Sequence, residues 1–486
     1  MSDALEPETP EAEAEAPVKQ RKNGLYPGLS DELAENMTTG WADTELRGLE
    51  PVTQAAETAR RRAALSARFP GERLVIPSGN LKVRSNDTDY PFRASVDYAY
   101  LTGNQTEDGV LVLEPGADGH RATLHLLPRS NRADGEFWLS GQGELWVGRR
   151  HSLTESEVLY GIPAADVREL AGTLREATGP VRVLRGYDAA VEAALTDKVT
   201  AERDEELRVF LSEMRLVKDD FEIGELQKAC DATVRGFEDV VRVLDRAEAT
   251  SERYIEGTFF LRARVEGNDV GYGTIAASGP HACTLHWVRN DGPVRSGDLL
   301  LLDAGVETTT LYTADVTRTL PVNGTYTEVQ KRVYDAVYEA QEAGIAAVRP
   351  GAKYRDFHQA AQRVLTEKLV AWGLVEGPVE RVMELGLQRR WTLHGTGHML
   401  GMDVHDCAAA RTETYVEGTL EPGMVLTVEP GLYFQPDDLT VPEEYRGIGV
   451  RIEDDILVTE DGNRNLSAAL PRRSDEVEAW MAALTG

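Results

Sequence analysis

Apolar and polar positions recur along the chain with two different periods, and the changes of period mark out its elements. "ERLVIPSG", "DGVLVLEP", "RATLHLLP" and "PVRVLRGYD" are short β-branched runs bounded by Gly, Pro and Asp, so each reads as a strand. "DVRELAGTLREA" has helical spacing. From about residue 206 the texture shifts. Ile223, Leu226, Cys230, Val234, Phe237, Val241 and Leu244 step by threes and fours, which predicts a long amphipathic helix with Cys230 on its apolar stripe. A second helix starts at Thr327, where Thr327 and Gln330 can form a capping box and Val329, Val333, Val337 and Ile345 keep one face apolar. Pro350-Gly351 is expected to end it, and a third helix covers about 354–373.

These elements predict an α/β chain in two folded domains, over 25–205 and 206–486, after a tail at 1–24. The tail is rich in Glu, Ala and Pro and cannot bury enough apolar surface to order itself, so it is expected to be disordered. A hydrophobic content of 41% supplies ample core for the rest. No apolar run approaches the roughly 18 residues of a membrane helix, and no secretory signal is visible. The formal charge of −30 repels polyanions, which argues against a nucleic-acid partner. Cys230, Cys283 and Cys407 are widely spaced and form neither a disulfide framework nor a C-x-x-C site, which fits a cytoplasmic protein.

Candidate chemistry lies in the second half. "HGTGHMLGMDVHD", residues 394–406, holds His394, His398 and His405, three of the nine histidines in the chain. Alone, it reads either as a Gly-rich turn with polar side chains or as a metal or catalytic site. In "GDLLLLDAGVETTTLYTADVTRTLPVNG", strand alternation puts Leu299, Leu301 and Asp303 on one face and Asp315, Thr317 and Thr319 on another. A hairpin would bring Asp303 and Asp315 together; the alternative makes Asp303 a turn residue and Asp315 a surface acid. "GMVLTVEPGLYF" carries Val425, Thr427 and Glu429 on one face, with Pro430-Gly431 ending the strand. "GIGVRIEDDILV" carries Arg451, Glu453 and Asp455 opposite Val450, Ile452 and Asp454. Charged groups at the ends of apolar strands are costly to bury unless paired or metal-bound. The candidate ligand set is therefore Asp303, Asp315, His398, Glu429 and Glu453. Four carboxylates and one imidazole suit two divalent cations, Mn²⁺ first, with Co²⁺, Fe²⁺ or Zn²⁺ as options. Cys407 is read as a bystander. His120, His125 and His151 are scattered and read as structural or surface residues.

With these motifs assembled, the chain resembles the proline peptidases, aminopeptidase P and prolidase. "HGTGHMLGMDVHD", "DAG…ADVTRT", "MVLTVEPGLY" and "GIGVRIEDDILVT" match the family in order, and "GTIAASGPHACTLHW" resembles its segment with a substrate-side histidine. "YPFRASVDYAYLTG" resembles the N-terminal domain of aminopeptidase P. The resemblance implies a creatinase-like N-terminal domain followed by a pita-bread metallopeptidase domain. It implies that Asp303 holds one metal, that His398 and Glu429 hold the other, and that Asp315 and Glu453 bridge them. It places His286, His394 and His405 on the substrate side, with Arg451 supporting the carboxylates and Tyr433 close by. The implied activity is release of the first residue from peptides with proline second, by a hydroxide activated between two cations, with Glu429 moving the proton. Gly395, Gly397 and Gly401 would let the backbone pass close to metals and peptide. Peptides are the implied partners, and a homodimer or homotetramer is expected. Prolidase is the nearest alternative; methionine aminopeptidase, metal-free creatinase and a catalytically dead binding module rank below it. One departure stands out: Asp303 and Asp315 are 315 − 303 = 12 positions apart, one more than is usual in the family. The extra residue is expected in the turn near Thr308–Leu311.

Overall fold

The computed structural model describes residues 30–132 and 135–486. The expected disordered tail, 1–24, lies outside them. The chain divides into two compact units, one ending at Asp204 and the other spanning Glu205–Gly486.

The first unit is built on a five-stranded sheet. Its strands are β1 (Arg73–Pro77), β2 (Val110–Gly116), β3 (Gly119–Leu126), β4 (Ala164–Asp166) and β5 (Val181–Val183), in the order β4-β3-β2-β1-β5. The first, second, third and fifth fall on the four β-branched runs. Helix α1 (Ala55–Arg68) and helix α2 (Leu170–Glu176) belong to the same unit. Val75, Val112 and Val183 from the sheet pack with Leu170 and Leu174 of α2. The three histidines of this unit are tied into its framework or left at its surface. His120 bonds Ser66 and the Glu72 carbonyl, and His151 sits beside Glu155.

The second unit holds four long helices: α3 (Asp220–Val241), α4 (Glu252–Glu266), α5 (Glu328–Ala347) and α6 (Tyr354–Ala371). Helix α5 begins with the Thr327–Gln330 capping box and ends, with Val348 as its cap residue, just before Pro350-Gly351. Strands β6 (Ile275–Ser278), β7 (Leu299–Ala304) and β8 (Val316–Pro321) form one antiparallel sheet in the order β8-β7-β6. Strands β9 (Val425–Val428), β12 (Asp454–Thr459) and β13 (Gly462–Asn465) form another, in the order β9-β12-β13. Between them, β10 (Gly431–Tyr433) pairs with β11 (Gly449–Arg451).

β9 thus ends at Val428, just before Pro430, as the sequence suggests, and Gly431 opens a separate strand. Proline has no N–H to give to a ladder, and the chain resumes at Gly431 against a new partner. The "GIGVRIEDDILV" run is likewise two strands, broken at Ile452–Glu453, where Glu453 bridges to Thr317 of the other sheet.

Alternation decides what each strand shows to each side. Leu300, Leu302 and Ala304 of β7 join Val450 and Ile452 in the main core beside the helices. Leu301, between them, joins a separate small cluster with Ile275, Ala277 and Tyr433. Leu426 and Val428 of β9 pack with Phe357 of α6. The positions left for the opposite faces are Asp303, Thr427, Glu429, Arg451 and Glu453. Among the described residues, no helix is long and apolar enough to cross a membrane.

Candidate active site

The hairpin from β7 to β8 delivers the first two carboxylates. Asp303 lies opposite Thr317 in the ladder, and Asp315 precedes β8 by one residue. The turn between them is closed by Thr308 N–H donating to the Tyr312 carbonyl and Leu311 N–H donating to that of Thr308. Leu311 has a φ of 71°, the left-handed conformation that closes such three-residue turns. The 308–311 stretch named as the place for an extra residue is thus this turn, and both carboxylates remain in one cavity.

The histidine-rich segment is laced to β9. Met399 bridges Leu426, the His398 N–H donates to Thr427 Oγ1, and the Thr427 N–H donates to the His398 carbonyl. Gly397 permits this approach: a Cβ there would stand 2.0 Å from the Thr427 carbonyl oxygen. At Gly401 a Cβ would stand 2.1 Å from Asp406 Oδ2. Gly395 is not crowded in this way. Gly397 and Gly401 thus allow close packing of protein on protein, and Gly395 and Gly397 also line the cavity.

A cavity of about 600 Å³ opens onto Asp303, Asp315, His398, Glu429 and Glu453, and also onto His286, His394, His405 and Arg451. All nine residues singled out in the sequence meet there. Asp315, His398 and Glu453 each present a ligand atom within 4.8 Å of the other two. His398 Nε2 lies 3.2 Å from Asp315 Oδ2 and 3.8 Å from Glu429 Oε1. Arg451 donates to Asp303 Oδ2 at 2.5 Å, to Thr317 Oγ1 at 3.2 Å and to the Tyr433 hydroxyl at 3.1 Å. Tyr433 in turn bonds His394 Nε2 at 2.8 Å. The rings of His398 and His405 meet edge to face at 4.3 Å between centroids.

Supporting groups complete the site, and of these Tyr272 carries no sequence signal. Tyr272 donates to Asp303 Oδ1 at 2.6 Å, and Thr317 donates to Glu453 Oε2 at 2.6 Å. Asp455 does not line the cavity; it stands behind it. Its Oδ2 accepts the Asp315 N–H at 3.1 Å and the Cys230 thiol at 3.2 Å. Cys230 is a core residue, as its place on the apolar stripe implies, but one with a polar partner. Asp454, on the opposite face, is bound to buried Arg318. Cys407 is buried, away from the cavity lining.

The electrostatics ask for cations. Burial pushes Asp303, Glu429 and Glu453 toward their neutral forms, and neighbouring carboxylates push in the same direction. Glu429 is raised to about 7, although His398 and Arg451 pull against the shift. Burial opposes a charge on His398, but the bond to Asp315 overrides it and raises the imidazole to about 9. Burial and then Arg451 hold His394 down to about 4. Were all four carboxylates ionised, they would outnumber the Arg451 guanidinium and the His398 imidazole, an excess of negative charge that bound divalent ions would relieve. Oxygen donors with a single nitrogen and no thiolate fit hard or borderline divalent ions.

Comparison with known proteins agrees with this donor set. Residues 224–460 match Metallopeptidase family M24, and residues 58–183 match the aminopeptidase P N-terminal domain. The chain is 86% identical to Xaa-Pro aminopeptidase 1 of Streptomyces coelicolor over 480 residues, 99% of this chain and 98% of that one. The chain belongs to metallopeptidase family M24. The Xaa-Pro aminopeptidase of Escherichia coli is 35% identical over 444 residues, 87% of this chain and 97% of that one. Aminopeptidase P from E. coli in complex with substrate superposes with a TM-score of 0.78 at 33% identity, covering 88% of this chain and 98% of that one. The fold is thus an aminopeptidase P-type N-terminal domain followed by a pita-bread domain, as the sequence implied. Membership of the family also makes divalent-metal binding a property of the chain.

Proposed function

We propose that this metallopeptidase releases the N-terminal residue from peptides with proline in second position, the Xaa-Pro aminopeptidase activity named for its whole-length relatives. The observation that carries the reading is the convergence of four carboxylates and His398, from separate strands and a glycine-set segment, in one cavity with three further histidines. Asp303, Asp315, His398, Glu429 and Glu453 would hold two divalent ions, Mn²⁺ by preference for an oxygen-rich set. Divalent ions held there acidify water and polarise a carbonyl oxygen.

The chain's own residues do the rest. Glu429, as the carboxylate, takes a proton from the attacking water and returns it to the proline nitrogen as the C–N bond breaks. His405 and His286 face the same cavity and supply N–H donors to the carbonyl oxygen as it gains charge. Arg451 fixes Asp303, and through Tyr433 it steadies His394 on the substrate side. Proline has no N–H and a fixed φ, so its bond needs a shaped pocket, which Ile275, Leu285 and Val288 help to line.

We also propose the division into an N-terminal domain over 25–205 and a catalytic domain over 206–486. Two proposals lie further out: a cytoplasmic setting, favoured by three free buried thiols, and a homodimer or homotetramer, favoured by the family resemblance. The test is incubation with Mn²⁺ and Arg-Pro-Pro, Gly-Pro or a Met-initiated peptide without proline. Release of Arg from the tripeptide with Gly-Pro spared is the expected result. Cleavage of Gly-Pro alone would make the protein a prolidase, and cleavage of none would leave a binding module.

A further inference from the structure

Beside the catalytic cavity lies a second one of about 510 Å³, walled by α6 and by the turn Leu387–Arg390. His394 and Gly395 line both. Two glutamines in its wall, Gln362 and Gln388, are only 4% and 5% exposed. The Oε1 of each has no hydrogen-bond partner. Gln362 donates through Nε2 to Thr392 Oγ1 at 3.1 Å, which anchors its amide by the donor end and leaves the acceptor end unused. Buried acceptors without donors are rare in folded proteins and are costly to keep. Neither oxygen is open to solvent, but the terminal torsion of a glutamine is broad. Turning the amide, at Gln362 by giving up the Thr392 bond, is the movement that would present each oxygen to a donor in the cavity.

We propose that this second cavity receives the peptide downstream of the proline, with backbone N–H groups of that segment donating to Gln362 and Gln388. The proposal rests on the aminopeptidase reading above. An enzyme that removes one residue at a time has a single residue upstream of the cut. Space continuing past His394 is therefore left for the downstream chain. The chemistry of the wall matches that chain. Proline in second position carries no N–H, so the first peptide N–H the substrate can offer beyond the cut belongs to its third residue. A wall with two idle acceptors reads what begins there. Gln362 and Gln388 would thus set the preference for peptide length.

The test compares Arg-Pro-Pro, which has no peptide N–H after its first residue, with Arg-Pro-Ala-Ala-Ala, which has three. Wild-type protein with Mn²⁺ should cleave the pentapeptide with the higher kcat/KM. Gln388→Met and Gln362→Met keep the side-chain length but remove the acceptor. Each should shrink the pentapeptide-to-tripeptide ratio by about three- to tenfold, the worth of one hydrogen bond, with the change in KM and not in kcat. A pentapeptide N-methylated at its third and fourth residues, tested on wild-type protein, removes donors without touching the fold and should lose the same advantage. Equal kcat/KM for the two peptides in wild type overturns the inference. So does an equal loss on both peptides in the variants, or indifference to N-methylation. Cleavage of neither peptide by wild type overturns the aminopeptidase reading instead.

Discussion

At the scale of single residues, the site is a balance between burial and charge. Glu429 is the clearest case, because burial and its carboxylate neighbours lift it to about 7. Glu429→Gln removes the proton acceptor and should lower kcat by about 10²–10⁴-fold with the thermal melt retained; near-normal turnover would take Glu429 out of the mechanism. Asp455 acts one step back, holding the Asp315 N–H and the Cys230 thiol. Asp455→Ala leaves both unpaired in the interior and should cost about 1–3 kcal/mol. It should also weaken metal binding by about 10–100-fold, the usual effect of losing a group that orients a ligand. Titration calorimetry with Mn²⁺ reads the second effect apart from the first. The sequence displays Glu429 and conceals what Asp455 does. An acid at the end of an apolar strand stands out by alternation alone. The partners of Asp455 lie 225 and 140 positions away in the chain, and no local period records them. Tyr272 was illegible for the same reason, an ordinary polar residue until the fold brings a carboxylate to it; Thr317 was legible as a face-mate of Asp315, but its bond to Glu453, 136 positions away, was not.

At the scale of elements, close approach of backbones sets where the proposed ligand His398 stands. The His398 segment can reach β9 only because Gly397 has no side chain. Gly397→Ala would drive a Cβ into the Thr427 carbonyl, where only backbone can give way. A loss of about 1–3 kcal/mol is expected from overpacking, with metal affinity falling as His398 is displaced; an unchanged melt and unchanged Mn²⁺ titration would contradict this. The start of α5 was readable because a capping box is a local signal. Its end was readable too: the helix stops at Ala347, and Pro350 stands two residues beyond the Val348 cap, where proline cannot continue a helix. The break at Pro430 was visible, but the new partner of β10 was not, because pairing depends on where β11 lies in space.

At the scale of the whole molecule, stability should respond to pH and to metal. Glu155 is buried in the first unit, and burial by itself would raise its pKa. The bond from Arg149 and the N–H groups of Leu46 and Ser152 outweigh burial and hold it at about 2, against 4.5 for a free glutamate. A depressed carboxylate stabilises the fold fully above the unfolded value and loses that contribution as pH falls from about 4.5 toward about 2. Glu155→Gln should therefore flatten the acid limb of a melt-versus-pH curve in that window; an unaltered limb would dismiss the linkage. Metal acts on the second unit. Ions that bind the folded chain raise its stability by mass action, so prolonged chelation should lower the melting temperature and Mn²⁺ should restore it.

The most direct measurement is the transition-metal content of dialysed, catalytically active protein, determined by elemental analysis alongside release of Arg from Arg-Pro-Pro. Two ions per chain, falling with activity when Asp315 or Glu453 is replaced by alanine, is the predicted result. Full activity in protein that holds no transition ion would contradict it.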